Sequence, residues 1–229
     1  MSKQKNKKRI FVDFDGTIVD IRDRYYAIYR KANLKFNLNI FSKKTYWGYK
    51  TKHCSEKEII LKNNKNLLKI DKYLSFRSNC IENKKYLAFD KLIIDRNKIG
   101  EIVRYYNLYL ITMRHNKMNL LWETRKMNIY KFFKEILCRE ALSKKQLENY
   151  SEMNQKEELL SQYYPFSSDD ILIGDTELDY LLGKYFKLQT FIVNTGVCNK
   201  KTLLERDPKI KNILYKNINS VLIHINRRR

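Results

Sequence analysis

The chain has 229 residues, 43% of them hydrophobic, with only 2 prolines and 6 glycines. That composition supplies a core and no long linker; it excludes a generally disordered chain and fits one domain carrying an insertion, or two small domains. Lysine and arginine number 47 against 25 aspartate and glutamate, a net charge of +22; such a charge suggests a polyanionic partner, but the lysines are dispersed and no nucleic-acid motif accompanies them, so a cationic surface is the first reading.

The stretch Met1–Arg9 is polar and basic, and no run of some 18 apolar residues follows, so neither a leader peptide nor a membrane span is expected. Cys54, Cys80, Cys138 and Cys198 are far apart, and His53, His115 and His224 add no zinc spacing. A reducing, cytoplasmic setting is the expectation.

In chain order, the first apolar run, Arg9–Asp13, reads as a buried strand that stops in Asp13-Phe14-Asp15-Gly16-Thr17. Two carboxylates one residue apart at a strand end repel each other unless a cation or a phosphate chemistry uses them. Helical patterns follow over Arg22–Ala32, Ser55–Asn63 and, in pieces, Leu67–Asn83; Ser55 and Glu58 have the spacing of a capping box. The next strand, Leu108–Thr112, begins 95 residues after Asp13, too far for a simple crossover. An inserted helical domain over residues 21–87 is therefore expected, with a discontinuous core of residues 1–20 and 88–229.

Beyond the insertion, strands are expected at Glu135–Cys138, Asp170–Gly174 and Thr190–Asn194, separated by helices at Met118–Asn128, Gln155–Tyr164 and Leu178–Tyr185. Strand alternating with helix predicts an α/β fold with a doubly wound, parallel, Rossmann-like sheet and an inserted α-helical cap. In such sheets ligands lie beyond the carboxyl ends of the strands. Asp13 and Asp15, Thr112, and Asp175 with Asp179 all stand at strand ends, so the topology gathers them in one crevice. A cluster of about four carboxylates calls for a hard cation, for which all-oxygen ligands suit Mg²⁺. An aspartate beside such an ion can attack phosphorus, with Thr112 and a lysine holding phosphoryl oxygens.

With these residues the chain resembles the haloacid dehalogenase-like hydrolases, especially the phosphoglycolate-phosphatase-like branch with a helical cap. The resemblance rests on Asp13-Phe14-Asp15-Gly16-Thr17-Ile18-Val19-Asp20, on Leu110-Ile111-Thr112, on Ile173-Gly174-Asp175-Thr176-Glu177-Leu178-Asp179, and on the late Phe191–Gly196 segment. It implies Asp13 as nucleophile, Asp15 as general acid and then base, and Thr112 and Lys156 as the phosphate-site pair. Lys144 and Lys145 are rivals to Lys156. It further implies Mg²⁺ bound by the Asp13 carboxylate, the Asp15 carbonyl and Asp175, with Asp179 supporting the metal shell. The expected activity is Mg²⁺-dependent hydrolysis of a small phosphorylated metabolite through an aspartyl-phosphate. A phosphoglucomutase-like transfer and a phosphatase acting on nucleotide or nucleic-acid ends are the enzymatic alternatives, and a non-catalytic scaffold is the third. Arg114, the Trp47–Lys50 segment and His53 read first as surface or packing residues, with phosphate or substrate contact as the alternative.

Overall fold

The computed structural model describes residues 7–64, 70–139 and 151–228. Six parallel strands form the central sheet: β1 (Lys8–Asp13), β4 (Tyr106–Thr112), β5 (Phe133–Cys138), β6 (Ile171–Gly174), β7 (Gln189–Val193) and β8 (Leu214–Tyr215), in the order β5-β4-β1-β6-β7-β8. A separate antiparallel pair, β2 (Val19–Asp20) with β3 (Lys91–Leu92), stands where the chain leaves the sheet and returns to it. The five expected sheet strands are all present, shifted by one or two residues at their starts. The two-residue β8 and the β2–β3 pair are too short to carry a periodic pattern and escape the sequence reading.

Side chains alternate across β1. Ile10 and Val12 enter one apolar cluster with Leu108, Leu110, Ile171 and Ile173, and Phe11 enters the opposite one with Tyr109, Ile111 and Leu172. Both faces are buried, which explains the unbroken apolar runs. On the first face pack α6 (Arg96–Ile102), α7 (Lys117–Lys126) and α11 (Ile218–Arg227); on the second pack α8 (Glu152–Ser161) and α9 (Glu177–Tyr185); α10 (Lys200–Arg206) lies between β7 and β8. Tertiary packing, rather than a strong pattern, stabilises α6, a helix of only seven residues.

Between β2 and β3 lie α1 (Arg22–Phe36), α2 (Lys43–Lys50), α3 (Glu56–Asn63), α4 (Ile70–Ile81) and α5 (Lys84–Leu87). They share a core of Tyr29, Ala32, Tyr46, Ile59, Ile60 and Tyr73. The Ser55–Glu58 capping box forms as the spacing predicts. The short, aromatic α2 was not expected. Residues 65–69, which include the start of the segment expected from Leu67, lie outside the described residues, as do Lys144 and Lys145.

Register places the loops after β1, β4 and β6 side by side. Asp13 pairs with Ile111 across β1–β4, and Val12 pairs with Ile173 across β1–β6. Thr112 and Asp175 therefore follow one residue beyond the positions level with Asp13. The other close fit is between α9 and β7. A Cβ on Gly183 would stand 1.8 Å from Thr190 Oγ1 and 2.9 Å from its Cβ. Gly183→Ala should cost about 1–3 kcal/mol in urea unfolding despite alanine's better helix propensity, because overpacking outweighs it. Adding Thr190→Ala should recover part of the loss, since Oγ1 is the nearest atom.

Candidate active site

The turn after β1 is built from the backbone. Ile18 and Val19 N–H donate to the Phe14 carbonyl at 2.9 and 3.1 Å, and Gly16 N–H donates to Val19 O at 2.8 Å. Gly16 has φ +84°, and a Cβ there would meet Gly196 Cα at 2.6 Å. Thr195 Oγ1 donates to Gly16 O at 2.6 Å, which ties this turn to the glycine loop after β7. A Cβ on Gly196 would stand 1.5 Å from Asp175 Oδ2. Glycine at 16 and 196 thus lets two backbones and one carboxylate share the same space.

Lys156, one turn into α8, is 3% exposed and reaches the sheet edge, where its Nζ donates to Asp13 Oδ1 and to Asp179 Oδ1, both at 2.6 Å. Burial works against its charge, but the two carboxylates outweigh burial and hold its pKa above the ordinary lysine value. The other oxygen of Asp179, Oδ2, accepts from the N–H groups of Asp175 and Thr176 and from Thr176 Oγ1 at 3.2, 3.1 and 2.7 Å. Asp179 is thereby the third residue of a capping box that starts α9 and fixes the Asp175 loop. Both oxygens of its carboxylate have these partners, which brace the loop between β6 and α9.

Asp13 and Asp175 are buried, 7% and 2% exposed. Burial, opposed by Lys156 and assisted by Asp179, pushes the Asp13 carboxyl up to about 7. Burial and the neighbouring Asp13 and Asp179 push Asp175 well above the usual carboxylate range. Val197 N–H donates to Asp175 Oδ2 at 3.2 Å. Three buried carboxylates face one ammonium, a deficit of positive charge that an added cation would fill. Among the described residues no three His, Cys, Asp or Glu side chains already form a metal cage. Two carboxylates with backbone and ligand oxygens are the donor set on offer, and that set suits Mg²⁺.

Thr112 is buried at the end of β4, and its Oγ1 accepts from Arg114 N–H at 3.4 Å. A cleft of about 460 Å³ opens over the cluster; its lining includes Asp13, Asp15, Lys156, Asp175, Tyr25 and His53. Tyr25 and His53 come from the inserted helices and the loop after α2. His53 Nε2 lies 2.9 Å from Cys198 Sγ, and Thr51 O accepts from Asn199 Nδ2 and Thr202 Oγ1, both at 3.1 Å, so this loop is docked on the core.

Asp15 stands apart from the lysine cluster. Its Oδ1 accepts from Arg24 Nη2 at 2.8 Å and from Arg114 Nη2 at 2.5 Å, and its Oδ2 accepts from Arg114 Nε at 3.0 Å. Burial opposes its charge, but the two guanidiniums prevail and hold the carboxyl well below its ordinary value. Arg114 also pairs with Glu123 and, at 3.2 Å, with Asp90; Arg24 Nε lies 3.3 Å from Asp90. Arg114 is thus buried at the site and not on the surface, and Arg24, on α1, was not singled out at all. In a chain with 47 lysines and arginines, nothing in sequence marks either one, apart from the position of Arg114 two residues after Thr112.

No protein-family model matches the chain, and no curated protein does. Among solved structures it is similar to a haloacid dehalogenase-like family hydrolase of Streptococcus pneumoniae, with 18% identity over 95% of this chain and 98% of that one and a TM-score of 0.68. It is similar to a predicted phosphoglycolate phosphatase of Haemophilus somnus, with 14% identity, 96% and 98% coverage and a TM-score of 0.67. It is also similar to a Bacillus subtilis HAD-hydrolase determined bound to magnesium, with 16% identity, 91% and 100% coverage and a TM-score of 0.59. The chain has the haloacid dehalogenase-like fold.

The arginine network generates a pH prediction. Arg24 and Arg114 face three carboxylates, Asp15, Asp90 and Glu123, so one acid is in excess. Burial makes Asp90 that acid and raises it to about 8. Its unfolded pKa is near 4. Below that value both states are protonated and the contribution is fully present; it is lost as pH rises to about 8, by up to about 1.4 kcal/mol per pH unit. Asp90→Asn should lose less stability than wild type between pH 5 and 8 in urea unfolding. Parallel slopes would remove Asp90 as the titrating group.

Proposed function

We propose that the protein is a Mg²⁺-dependent phosphomonoester hydrolase working through an aspartyl-phosphate. The observation that carries this reading is the contact of Lys156 with Asp13 at the carboxyl edge of a parallel sheet, with Thr112 and Asp175 at the ends of the two neighbouring strands. Lys156 fixes Asp13 Oδ1 and leaves Oδ2 without a protein donor among the described residues. In the first half-reaction an Asp13 oxygen bonds to phosphorus, the ester P–O bond breaks, and the leaving oxygen takes a proton from Asp15. In the second, Asp15 accepts a proton from water, the water oxygen bonds to phosphorus, and Asp13 departs as a carboxylate with release of phosphate. Asp13, Asp175 and the backbone at Asp15 would hold the ion, which supplies charge neutralisation for an incoming phosphate dianion. Thr112 and Lys156 would hold the phosphoryl oxygens.

The arginine pair gives Asp15 its base form, the one that activates water. Protonating a leaving group requires that hold to weaken. Arg24 belongs to the inserted helices, so their movement would remove one guanidinium while Arg114 stays on the core. We read these helices, over residues 21–87, as a cap that closes the cleft and excludes water. The cleft volume of about 460 Å³ suits a small phosphorylated metabolite.

Release of phosphate from a panel of small phosphoesters should require Mg²⁺ and stop in excess EDTA. Asp13→Asn should lower kcat by at least about 10⁴-fold while the circular dichroism melt stays cooperative. Lys156→Ala should lose activity and Lys145→Ala should keep it. Turnover that persists in EDTA, or in the Asp13→Asn variant, would sink the reading.

A further inference from the structure

His53 is exposed, stands in the loop after α2 and lines the same cleft as Asp13 and Lys156. Its backbone is left-handed, with φ +60°, a conformation rare outside glycine and more accessible to histidine than to most residues. Such a conformation persists where its surroundings over-determine it. Here Asn199 and Thr202 hold the Thr51 carbonyl, and Cys198 Sγ holds the ring through Nε2 at 2.9 Å. Nδ1 has no protein partner among the described residues.

The proton positions follow from the pair. Burial, with the Asp175 and Asp179 charges, pushes the Cys198 thiol up to about 12, so it keeps its proton. The Glu177 N–H donates to this sulfur, which leaves the thiol hydrogen to donate to His53 Nε2. Burial and the Arg206 charge hold His53 below its ordinary value, so the ring is neutral. A neutral imidazole that accepts at Nε2 carries its one proton on Nδ1. The charged groups facing His53 are Arg206, Glu177 and Lys50, and not Asp13 or Asp175. The ring thus stands at the outer part of the cleft, away from the Asp13–Lys156 end.

We propose that His53 is a substrate-binding residue whose Nδ1–H donates to an oxygen on the alcohol part of the phosphoester, and that Cys198 is the positioning residue that fixes this tautomer. The inference rests on the reading of the cleft as a phosphoester site. With the phosphoryl group at Asp13 and Lys156, the outer part of the cleft receives the leaving alcohol. A fixed neutral donor there selects an alcohol that bears its own acceptor oxygen, as a polyol or a sugar does, over an alkyl chain of the same length. The selection arises because an alkyl chain leaves the donor unpaired.

The test begins with a long-range proton–nitrogen NMR spectrum of the full chain at neutral pH, which reads the tautomer of each of its three histidines. His53→Phe identifies the His53 signal by its loss. Wild type should show the Nδ1–H form. Cys198→Ala should lose that preference, and Cys198→Ser, which keeps a hydroxyl donor, should preserve it. The Asp13→Asn protein with Mg²⁺, in which the ester persists, is then titrated with glycerol 1-phosphate and ribose 5-phosphate, and with propyl and pentyl phosphate. Only the hydroxylated esters should move the His53 signal. In turnover, wild type should favour glycerol 1-phosphate over propyl phosphate by at least about 10-fold in kcat/KM, and His53→Phe should reduce the ratio to about 3-fold or less. His53→Asn, which tolerates the left-handed backbone and keeps an N–H donor, should recover part of the preference. An Nε2–H form in wild type would overturn the proposal, as would an equal response to hydroxylated and alkyl esters. Selective movement of the His53 signal without any phosphate release would uphold the His53 assignment and remove the hydrolase reading.

Discussion

The ammonium of Lys156 is the interaction on which the site depends. It is buried, and it meets Asp13 on β1 and Asp179 on α9 at the same distance, 2.6 Å. Breaking a buried pair of this kind leaves an uncompensated charge, which costs far more than an exposed contact. One side chain from α8 therefore fixes the relative position of the first strand and the helix that follows β6. Asp179 passes the constraint on, because its second oxygen holds the Asp175 loop through backbone N–H groups. The glycines complete the same arrangement: any side chain at Gly196 or Gly174 would occupy the volume of Asp175 or Asp179. The carboxylates take these positions because the surrounding backbone has made room for them.

A second charge system is built beside the first and kept apart from it. Lys156 serves Asp13 and Asp179, while Arg24 and Arg114 serve Asp15, Asp90 and Glu123. The outcome for two aspartates one residue apart is opposite. Asp13 has one shared cation and is pushed toward neutrality; Asp15 has two guanidiniums and is held ionised. The link also runs between parts of the chain, since Arg24 begins the inserted helices and Arg114 follows β4. Asp15 thus feels the inserted helices directly, through an ion pair.

Much of this was legible in the sequence, for definite physical reasons. Strands buried on both faces must be short apolar runs, so β1, β4, β6 and β7 stand out. Parallel topology then forces their ends together, so Asp13, Thr112 and Asp175 could be grouped before any coordinates. Lys156 was named among rivals and is the lysine brought against Asp13, while Lys144 and Lys145 lie outside the described residues. What escaped were residues whose meaning is set by burial alone. Arg24 lies in the stretch Arg22-Asp23-Arg24-Tyr25, where its neighbour Arg22 is an exposed partner of Asp20. Two arginines with the same local pattern end in opposite environments, and only the tertiary contacts separate them. Gly183 is a similar case, since the atoms that exclude a Cβ there come from Thr190 on the neighbouring strand β7.

The distribution of charge differs between the surface of the chain and the cleft. A chain of net charge +22 attracts anions from a distance, and its field favours the approach of phosphate from any side. At close range the carboxyl edge is acidic, because Asp13 and Asp175 line the cleft beside the single ammonium of Lys156. Lys156 cannot cancel them alone, for its hydrogen bonds to Asp13 and Asp179 already divide its charge. On the hydrolase reading proposed above, a further cation in the acidic cluster would reconcile long-range attraction with short-range repulsion. On that reading, entry of an anionic substrate would be conditional on that cation, and a basic surface and an acidic pocket would be complementary requirements of one site.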